Sequence, residues 1–289
     1  MTAALITLLL ALGADPAEDL NCLTADERAQ ATLSAYLLRE VHNTHEHRAQ
    51  LSGEELTDRV RSLLGIAPLS ELPEPTGVDL GRVQRETYHI DRLVLKTPTS
   101  VLPGLTFHPK EPRAGAYLYL HDSGKLADEA AMTEIEDLVA AGSVVVTIDL
   151  RGQGETASEC SGRSPDRAGC NPLSADAQLA SLLGRPLLGL HVEDTLAAGH
   201  FVAHYQTDEP REVHLIGVGQ SGLTALHAAA LRPDLFTTVT LHNTPRDWSS
   251  LIGEAAVGQQ LTDIVPGALK LYDLPELVEL LGVERVKWE

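Results

Sequence analysis

The sequence is poor in positive charge and in aromatic side chains. It has 289 residues, with 22 Lys and Arg against 41 Asp and Glu, and therefore a net charge of −19. This excludes nucleic-acid binders and proteins that attach to membranes through basic residues, because both need positive surfaces. Aromatic residues make up only 4% of the chain, so broad platforms for stacking on sugars are not expected. The 43% hydrophobic and 22% charged residues are typical of a globular protein.

Cysteine is also scarce. The three residues Cys22, Cys160 and Cys170 are too few for a disulfide scaffold, and no CxxC pair is present to form a zinc ribbon. Cys160 and Cys170 flank an irregular loop, where they would either form a disulfide outside the cytosol or stay free.

No Lys or Arg precedes Arg28, whereas an export signal normally begins with positive charge. Residues 3–12 are apolar except for Thr7, and they are too few to span a bilayer, which takes about 20 residues. Two interpretations of residues 1–13 stay open. A signal peptide that is cleaved near residues 11–13 predicts a secreted or periplasmic protein, and a buried or artificial N-terminus predicts a cytoplasmic one.

The sequence divides into three regions: residues 1–20, residues 21–80 and residues 81–289. The second region is predicted to be a helical extension and a Pro-rich linker, since Thr24 with Glu27 and Ser52 with Glu55 form capping-box pairs. The third alternates strands with helices, which predicts a mostly parallel sheet covered on both faces. The predicted strands are 86–95, 104–108, 115–121, 143–149, 212–217, 236–242 and 284–289, and the predicted helices are 127–141, 174–205, 222–231 and 274–281.

The most informative segment is residues 212–233, a predicted strand, a glycine turn and a helix. Gly217, Gly219 and Gly222 match the G-x-G-x-x-G pattern of dinucleotide-binding oxidoreductases. That pattern requires an acidic residue at the end of the next strand, where this sequence has His242 followed by Asn243.

The same turn also fits a nucleophile elbow, in which a serine lies on the sharp bend between strand and helix. Ser221 would then stand exposed, and the backbone N–H of Gly222 would stabilise an oxyanion. The usual pattern has Gly at the position of Leu223. A third interpretation gives Ser221 only a turn or capping role.

Two further segments strengthen the elbow interpretation. The sequence HDSG at 121–124 follows an apolar strand, where the N–H of Ser123 would be the second oxyanion donor, although the carboxylate of Asp122 would oppose an oxyanion. The sequence DLRGQG at 149–154 follows the next strand. In this order the motifs resemble the α/β-hydrolase family, and more closely its acetylxylan-esterase-like and dipeptidyl-peptidase-like branch.

This resemblance implies an α/β-hydrolase fold and serine-dependent hydrolysis of a carboxylic ester. It also implies a small-molecule or carbohydrate ester as the substrate, such as an acetylated sugar, and it implies no cofactor. A metal site is not expected either, because His42, His45 and His47 lack the spacing of a zinc motif.

The expected triad is incomplete, because only His227 and His242 follow Ser221 in the sequence. His227 lies inside the predicted elbow helix, where packing is expected. Three explanations stay open. The chain is a fragment that lacks a last strand, it is a non-catalytic binding protein of this fold, or His242 and Asp247 replace the usual base and acid.

Overall fold

A computed structural model describes residues 22–48, 51, 53–113, 115–126, 128–158, 172–207, 209–249, 262 and 264–289. The described residues fall into two compact units, the first containing residues 22–47 and 249 and the second the others. The predictions for residues 1–20, for Ser52 and for Cys160 and Cys170 lie outside the described residues. Within the described part of the chain, no helix has the length and apolar character that a membrane span requires.

The described residues of the first unit form two helices, α1 (Ala25–Gln30) and α2 (Leu33–His47). The predicted capping box at the start of α1 is confirmed. The N–H of Glu27 donates to Oγ1 of Thr24 at 3.2 Å, and the N–H of Thr24 donates to Oε2 of Glu27 at 2.8 Å. These bonds satisfy N–H groups that have no partner inside the helix.

The described part of the second unit contains six α-helices. They are α3 (Gly53–Leu63), α4 (Glu129–Ala140), α5 (Pro172–Leu182), α6 (Leu187–His204), α7 (Ser221–Leu231) and α8 (Leu274–Leu281). The prediction of one helix over residues 174–205 is wrong, because residues 183–186 are not helical and separate α5 from α6. Gly184 there has a φ of 69°, and Pro186 caps α6. A left-handed residue and a proline that lacks an N–H both interrupt a helical ladder.

Eight strands form one sheet in the order β1-β2-β3-β5-β4-β6-β7-β8. They are β1 (Thr76–Gln84), β2 (Tyr88–Lys96), β3 (Val101–Pro109), β4 (Ala116–His121), β5 (Val144–Ile148), β6 (Val213–Val218), β7 (Phe236–His242) and β8 (Val286–Trp288). β5, β4, β6, β7 and β8 are parallel, whereas β1, β2 and β3 are antiparallel and β3 pairs antiparallel with β5. The seven predicted strands are confirmed, and β1 is additional.

Helices cover both faces of the parallel strands, as the apolar character of β4 and β5 predicts. On one face, Ile135 of α4 packs in a cluster with Ile216 and Val218 of β6. On the other face, a side chain added at Gly217 would meet α7 at the Cα of Gly222, 2.6 Å away. Since neighbouring residues of a strand point to opposite faces, α4 and α7 lie on opposite sides of the sheet. The architecture is that of an α/β-hydrolase.

Candidate active site

The turn between β6 and α7 consists of two residues, Gly219 and Gln220. Gly219 has a φ of 62°, in the left-handed region that favours glycine, whereas Gln220 has ordinary helical angles. The N–H of Gly219 donates to the carbonyl of His242 at 2.9 Å. Ser221 is already the first residue of α7 and has no positive φ. The strained position of this turn is therefore Gly219.

The other two glycines of the pattern permit close packing. A side chain at Gly217 would collide with Gly222, and a side chain at Gly222 would overlap Oγ1 of Thr244. The hydroxyl of Thr244 lies 3.2 Å from the carbonyl oxygens of both Gly219 and His242. The N–H of Gly222 donates to the carbonyl of Gly219 at 3.2 Å. The three glycines thus allow β6, α7 and the segment after β7 to pack closely together. Because Thr244 fills the space beside Gly222, no room is left there for a diphosphate.

Ser221 lies inside the protein. Its relative exposure is 2%, and its hydroxyl has no hydrogen-bond partner among the described residues. The expectation that Ser221 stands exposed at the edge of the sheet is wrong. Since the elbow serine of hydrolases takes the strained position, the G-x-S-x-G pattern falls on residues 217–221 in the structure, with Gly219 in place of the serine and Ser221 in place of the last glycine.

A carboxylate lies against the strained position. A Cβ atom on Gly219 would overlap Oδ2 of Asp122, which comes from the turn after β4. Oδ1 of Asp122 is 3.1 Å from Nδ1 of His121. The same Nδ1 accepts a hydrogen bond of 3.0 Å from the N–H of Ser123. The N–H groups of Ser123 and Gly222, the two predicted oxyanion donors, are therefore both engaged within the protein in this structure.

The imidazole of His242 does not reach Ser221. His242 pairs with Val218 in the sheet, and the side chain of Val218 packs on the face that α4 covers. Nε2 of His242 is 3.3 Å from Oε1 of Glu134 in α4, so the imidazole lies on the same face. Oε2 of Glu134 accepts a hydrogen bond of 2.9 Å from the hydroxyl of Tyr119. Asp247 is half-buried five residues after the end of β7. The roles of His242 and Asp247 as base and acid stay predictions.

Asp149 holds two loops at this edge of the sheet. Its Oδ1 accepts a hydrogen bond of 2.7 Å from the N–H of Lys125, and its Oδ2 accepts one of 3.0 Å from the N–H of Glu155. The ammonium of Lys125 also contacts Oδ2, and this pair is buried. A buried carboxylate is tolerated when it is paired and hydrogen-bonded, so Asp149 serves to position the turn at 121–124 and the loop after β5.

Arg151 is bound by a second buried carboxylate. Its Nε lies 2.9 Å from Oδ1 of Asp194, and its main-chain N–H donates to Oδ2 at 3.1 Å. The hydroxyl of Ser100 donates to Asp194 at 2.7 Å. His191, one turn earlier in α6, lies with Nε2 2.7 Å from the carbonyl of Arg151, and burial lowers the pKa of its imidazole. Both charged residues of the DLRGQG motif, Asp149 and Arg151, are therefore engaged in hydrogen bonds that hold the structure together.

The remaining histidines of interest have neighbours that do not belong to the candidate site. His227 is fully buried in α7, with Nε2 3.0 Å from the hydroxyl of Tyr272, and burial lowers its pKa to about 4. The rings of His200 and His204 stack with centroids 4.4 Å apart. Among the residues that the structure describes, no three His, Cys, Asp or Glu side chains are grouped so that they could hold a metal ion.

Comparisons with known proteins find likeness only at the level of structure. No family model matches the sequence, and no curated protein matches it. A candidate acetyl xylan esterase from Bacteroides fragilis superposes with a TM-score of 0.62 and 15% identity, over 89% of this chain and 75% of the other. Acetyl xylan esterase 1 from Thermoanaerobacterium superposes with a TM-score of 0.50 and 18% identity, over 82% and 75% of the two chains. This likeness shows an α/β-hydrolase fold.

Proposed function

We propose that this chain is a non-catalytic binding protein built on the scaffold of the ester hydrolases. One observation carries the proposal. The strained residue of the elbow is Gly219, which has no side chain, and the carboxylate of Asp122 occupies the space where a nucleophile would project. A turn without a nucleophile cannot form an acyl-enzyme intermediate.

The surroundings of the turn support the same proposal. The hydroxyl of Ser221 is buried and has no base within hydrogen-bond distance among the described residues, so it would stay protonated and weakly nucleophilic. The carboxylate of Asp122 would repel the negative charge that develops on an ester carbonyl. The N–H groups of Ser123 and Gly222, which would have to stabilise that charge, donate to partners within the protein.

The ligand class that we propose is a small carboxylic ester or the acid derived from it, including an acetylated carbohydrate. The support is the likeness of the fold to acetyl xylan esterases. Open α/β sheets bind their ligands at the carboxyl ends of the parallel strands, which is the edge where Asp122, Gly219 and His242 lie.

A second candidate function is ester hydrolysis through Ser221, with His242 as the base and Asp247 as the acid. It is favoured by a single observation: Oγ of Ser221 is buried without a hydrogen-bond partner among the described residues. Unsatisfied buried groups are uncommon and accompany some catalytic sites. This function requires that the turn opens and that the side chains of Ser221 and His242 move to the same face of the sheet.

A fluorophosphonate probe separates the two functions, because it labels only an activated serine. We expect no labelling of the wild-type protein and the same background turnover of p-nitrophenyl acetate in wild type and Ser221→Ala. An active serine esterase of the same fold serves as the positive control. Labelling of the wild type that is lost in Ser221→Ala, but kept in Ser62→Ala, which changes an exposed serine of α3, would instead establish the hydrolase.

A further inference from the structure

We infer that His121 is a protonation switch of the turn at residues 121–124, and that it makes the binding of a small carboxylate at this edge of the sheet depend on pH. The neutral imidazole holds the N–H of Ser123. The protonated imidazole releases this N–H and pairs with Asp122 instead. We take this edge as the ligand site from the proposed function, so the inference rests on it in that respect.

Nδ1 of His121 lies between two groups that require opposite protonation states. The N–H of Ser123 donates to Nδ1 at 3.0 Å, which requires a lone pair on the nitrogen. Oδ1 of Asp122 lies 3.1 Å from the same nitrogen, and a hydrogen bond between them requires a proton on it. A ring nitrogen carries either the lone pair or the proton, so only one of these hydrogen bonds exists at a time. Because both partners are already at hydrogen-bond distance, the protonation state of Nδ1 alone selects between them.

The neutral imidazole has its proton on Nε2, because Nδ1 accepts from Ser123. Nε2 is 3.9 Å from Oδ2 of Asp128, the residue that caps α4, and this carboxylate favours a proton on Nε2. In the neutral form the carboxylate of Asp122 faces the lone pair of Nδ1, which is unfavourable. Protonation of Nδ1 replaces this contact by an ion pair, and the N–H of Ser123 then faces a proton and turns away.

The charged groups around the imidazole favour a positive charge on it. The side chain of His121 is 8% exposed, and a buried charge is tolerated only when it is paired. Titratable side chains face this region from β4 itself, the turn, α4, β7, the loop after β5 and the residue after β8: Tyr119, Asp122, Lys125, Asp128, Glu134, His242, Asp149, Glu155 and Glu289. Carboxylates outnumber cations in this set, and the ammonium of Lys125 is bound to two of them.

Release of the N–H of Ser123 creates a donor that a ligand can reach. Ser123 is an exposed residue, and the turn stays closed because the N–H of Gly124 donates to the carbonyl of His121 at 3.0 Å. The protonated turn offers a free N–H and an imidazolium that balances the charge of Asp122. The neutral turn offers no donor and keeps an unbalanced carboxylate. A carboxylate ligand therefore binds the protonated turn more tightly, and one additional hydrogen bond to a charged acceptor corresponds to about tenfold in affinity.

NMR spectroscopy of the ¹⁵N-labelled protein tests the switch without any ligand. A scalar coupling between the main-chain nitrogen of Ser123 and Nδ1 of His121 is the signature of the N–H···N hydrogen bond. We expect this coupling at pH 8 and its loss at pH 5.5, since imidazoles ordinarily titrate in this range. The chemical shift of Nδ1 should report protonation over the same interval. A coupling that is absent at pH 8, or one that persists at pH 5.5, would overturn the inference.

Titration with ¹³C-labelled acetate at both pH values and constant ionic strength tests the consequence for binding. We expect the wild type to bind acetate about tenfold more tightly at pH 5.5 than at pH 8. His121→Gln, which does not titrate, should lose this pH dependence, and the matched control His204→Gln, at an exposed position of α6, should keep it.

Equal affinities of the wild type at the two pH values, or the same pH dependence in His121→Gln, would overturn the inference. Absence of acetate binding at both pH values would instead contradict the ligand class of the proposed function. The coupling between Ser123 and His121 would then decide on the switch alone, so the two can fail independently.

Discussion

The side chain of Thr244 occupies the space into which a side chain on Gly222 would project. A methyl group on Gly222 would overlap Oγ1 of Thr244, and that hydroxyl also lies 3.2 Å from the carbonyl oxygen of Gly219. The first turn of α7 is therefore fixed by a residue of the segment that follows β7. Because protein interiors are closely packed and resist added atoms, this contact fixes which residues can stand at position 222.

We expect Gly222→Ala to lower the free energy of unfolding by about 2 kcal/mol, although alanine is the better helix former. The loss should be smaller in the background of Thr244→Gly, and a double-mutant cycle from urea denaturation measures the difference. Gly53→Ala is the control, because at the start of α3 the added methyl group would only touch a side-chain carbon of Leu280 at 3.4 Å. Additive effects of the two changes at the elbow would contradict the prediction.

Ser221→Ala should raise the free energy of unfolding by about 1 kcal/mol. The change removes a buried hydroxyl that has no partner among the described residues, and such a group costs free energy in the folded state. Chemical denaturation measures the effect. Ser100→Ala is the matched control and should destabilise the protein, because the hydroxyl of Ser100 is bound to Asp194. A destabilised Ser221→Ala would mean that the hydroxyl has a structural partner.

Arg151→Met should lower the free energy of unfolding by about 3 kcal/mol, because it leaves the buried carboxylate of Asp194 without its cation. The double variant Arg151→Met/Asp194→Asn should recover part of this loss, since it removes both charges from the interior and keeps an acceptor for the hydroxyl of Ser100. Equilibrium denaturation of the two variants tests the prediction. A double variant that is as unstable as the single one would show that the pair is needed for more than charge balance.

Acid should destabilise the protein through His227. The imidazole has a pKa of about 4 in the folded protein, below its usual value of 6.5, because burial disfavours the charged form. Between these two pH values the unfolded chain binds more protons, so stability is complete above pH 6.5 and is lost as the pH falls toward 4. His227 alone should account for about 2 kcal/mol between pH 7.5 and 5. Urea denaturation at both pH values should show a correspondingly smaller loss in His227→Gln, and an unchanged loss would contradict the assignment.

The sequence is sufficient to predict the central strands. β4 and β5 consist of short runs of apolar side chains that are buried on both faces, and such runs form parallel strands at the centre of a sheet. β1 is different. Its residues are largely exposed and include Gly77 and Gly81, so it carries no alternation of apolar and polar residues. Its place in the sheet depends on main-chain pairing with β2, which local patterns do not encode.

The sequence also locates the turn of the candidate site but does not identify its strained residue. Glycines at 217, 219 and 222 allow two ways of placing the G-x-S-x-G pattern, and only the tertiary contacts decide between them. The contact of Gly222 with Thr244 and the contact of Gly219 with Asp122 join residues that are more than 20 positions apart. The sequence does give one sign of the outcome, which is the acidic residue at 122, where an oxyanion would be repelled.

Asp149 is hydrogen-bonded to two loops at the carboxyl edge of the sheet, and this limits how the two loops can change in sequence and length. Its carboxylate binds the main chain at Lys125 and at Glu155, so both loops share one fixed point. Hydrolase scaffolds acquire new ligands when their loops change length separately. Here an insertion beside either attachment would loosen the other loop as well. We expect diversity to accumulate in segments that Asp149 does not hold, while these two loops change only as a pair.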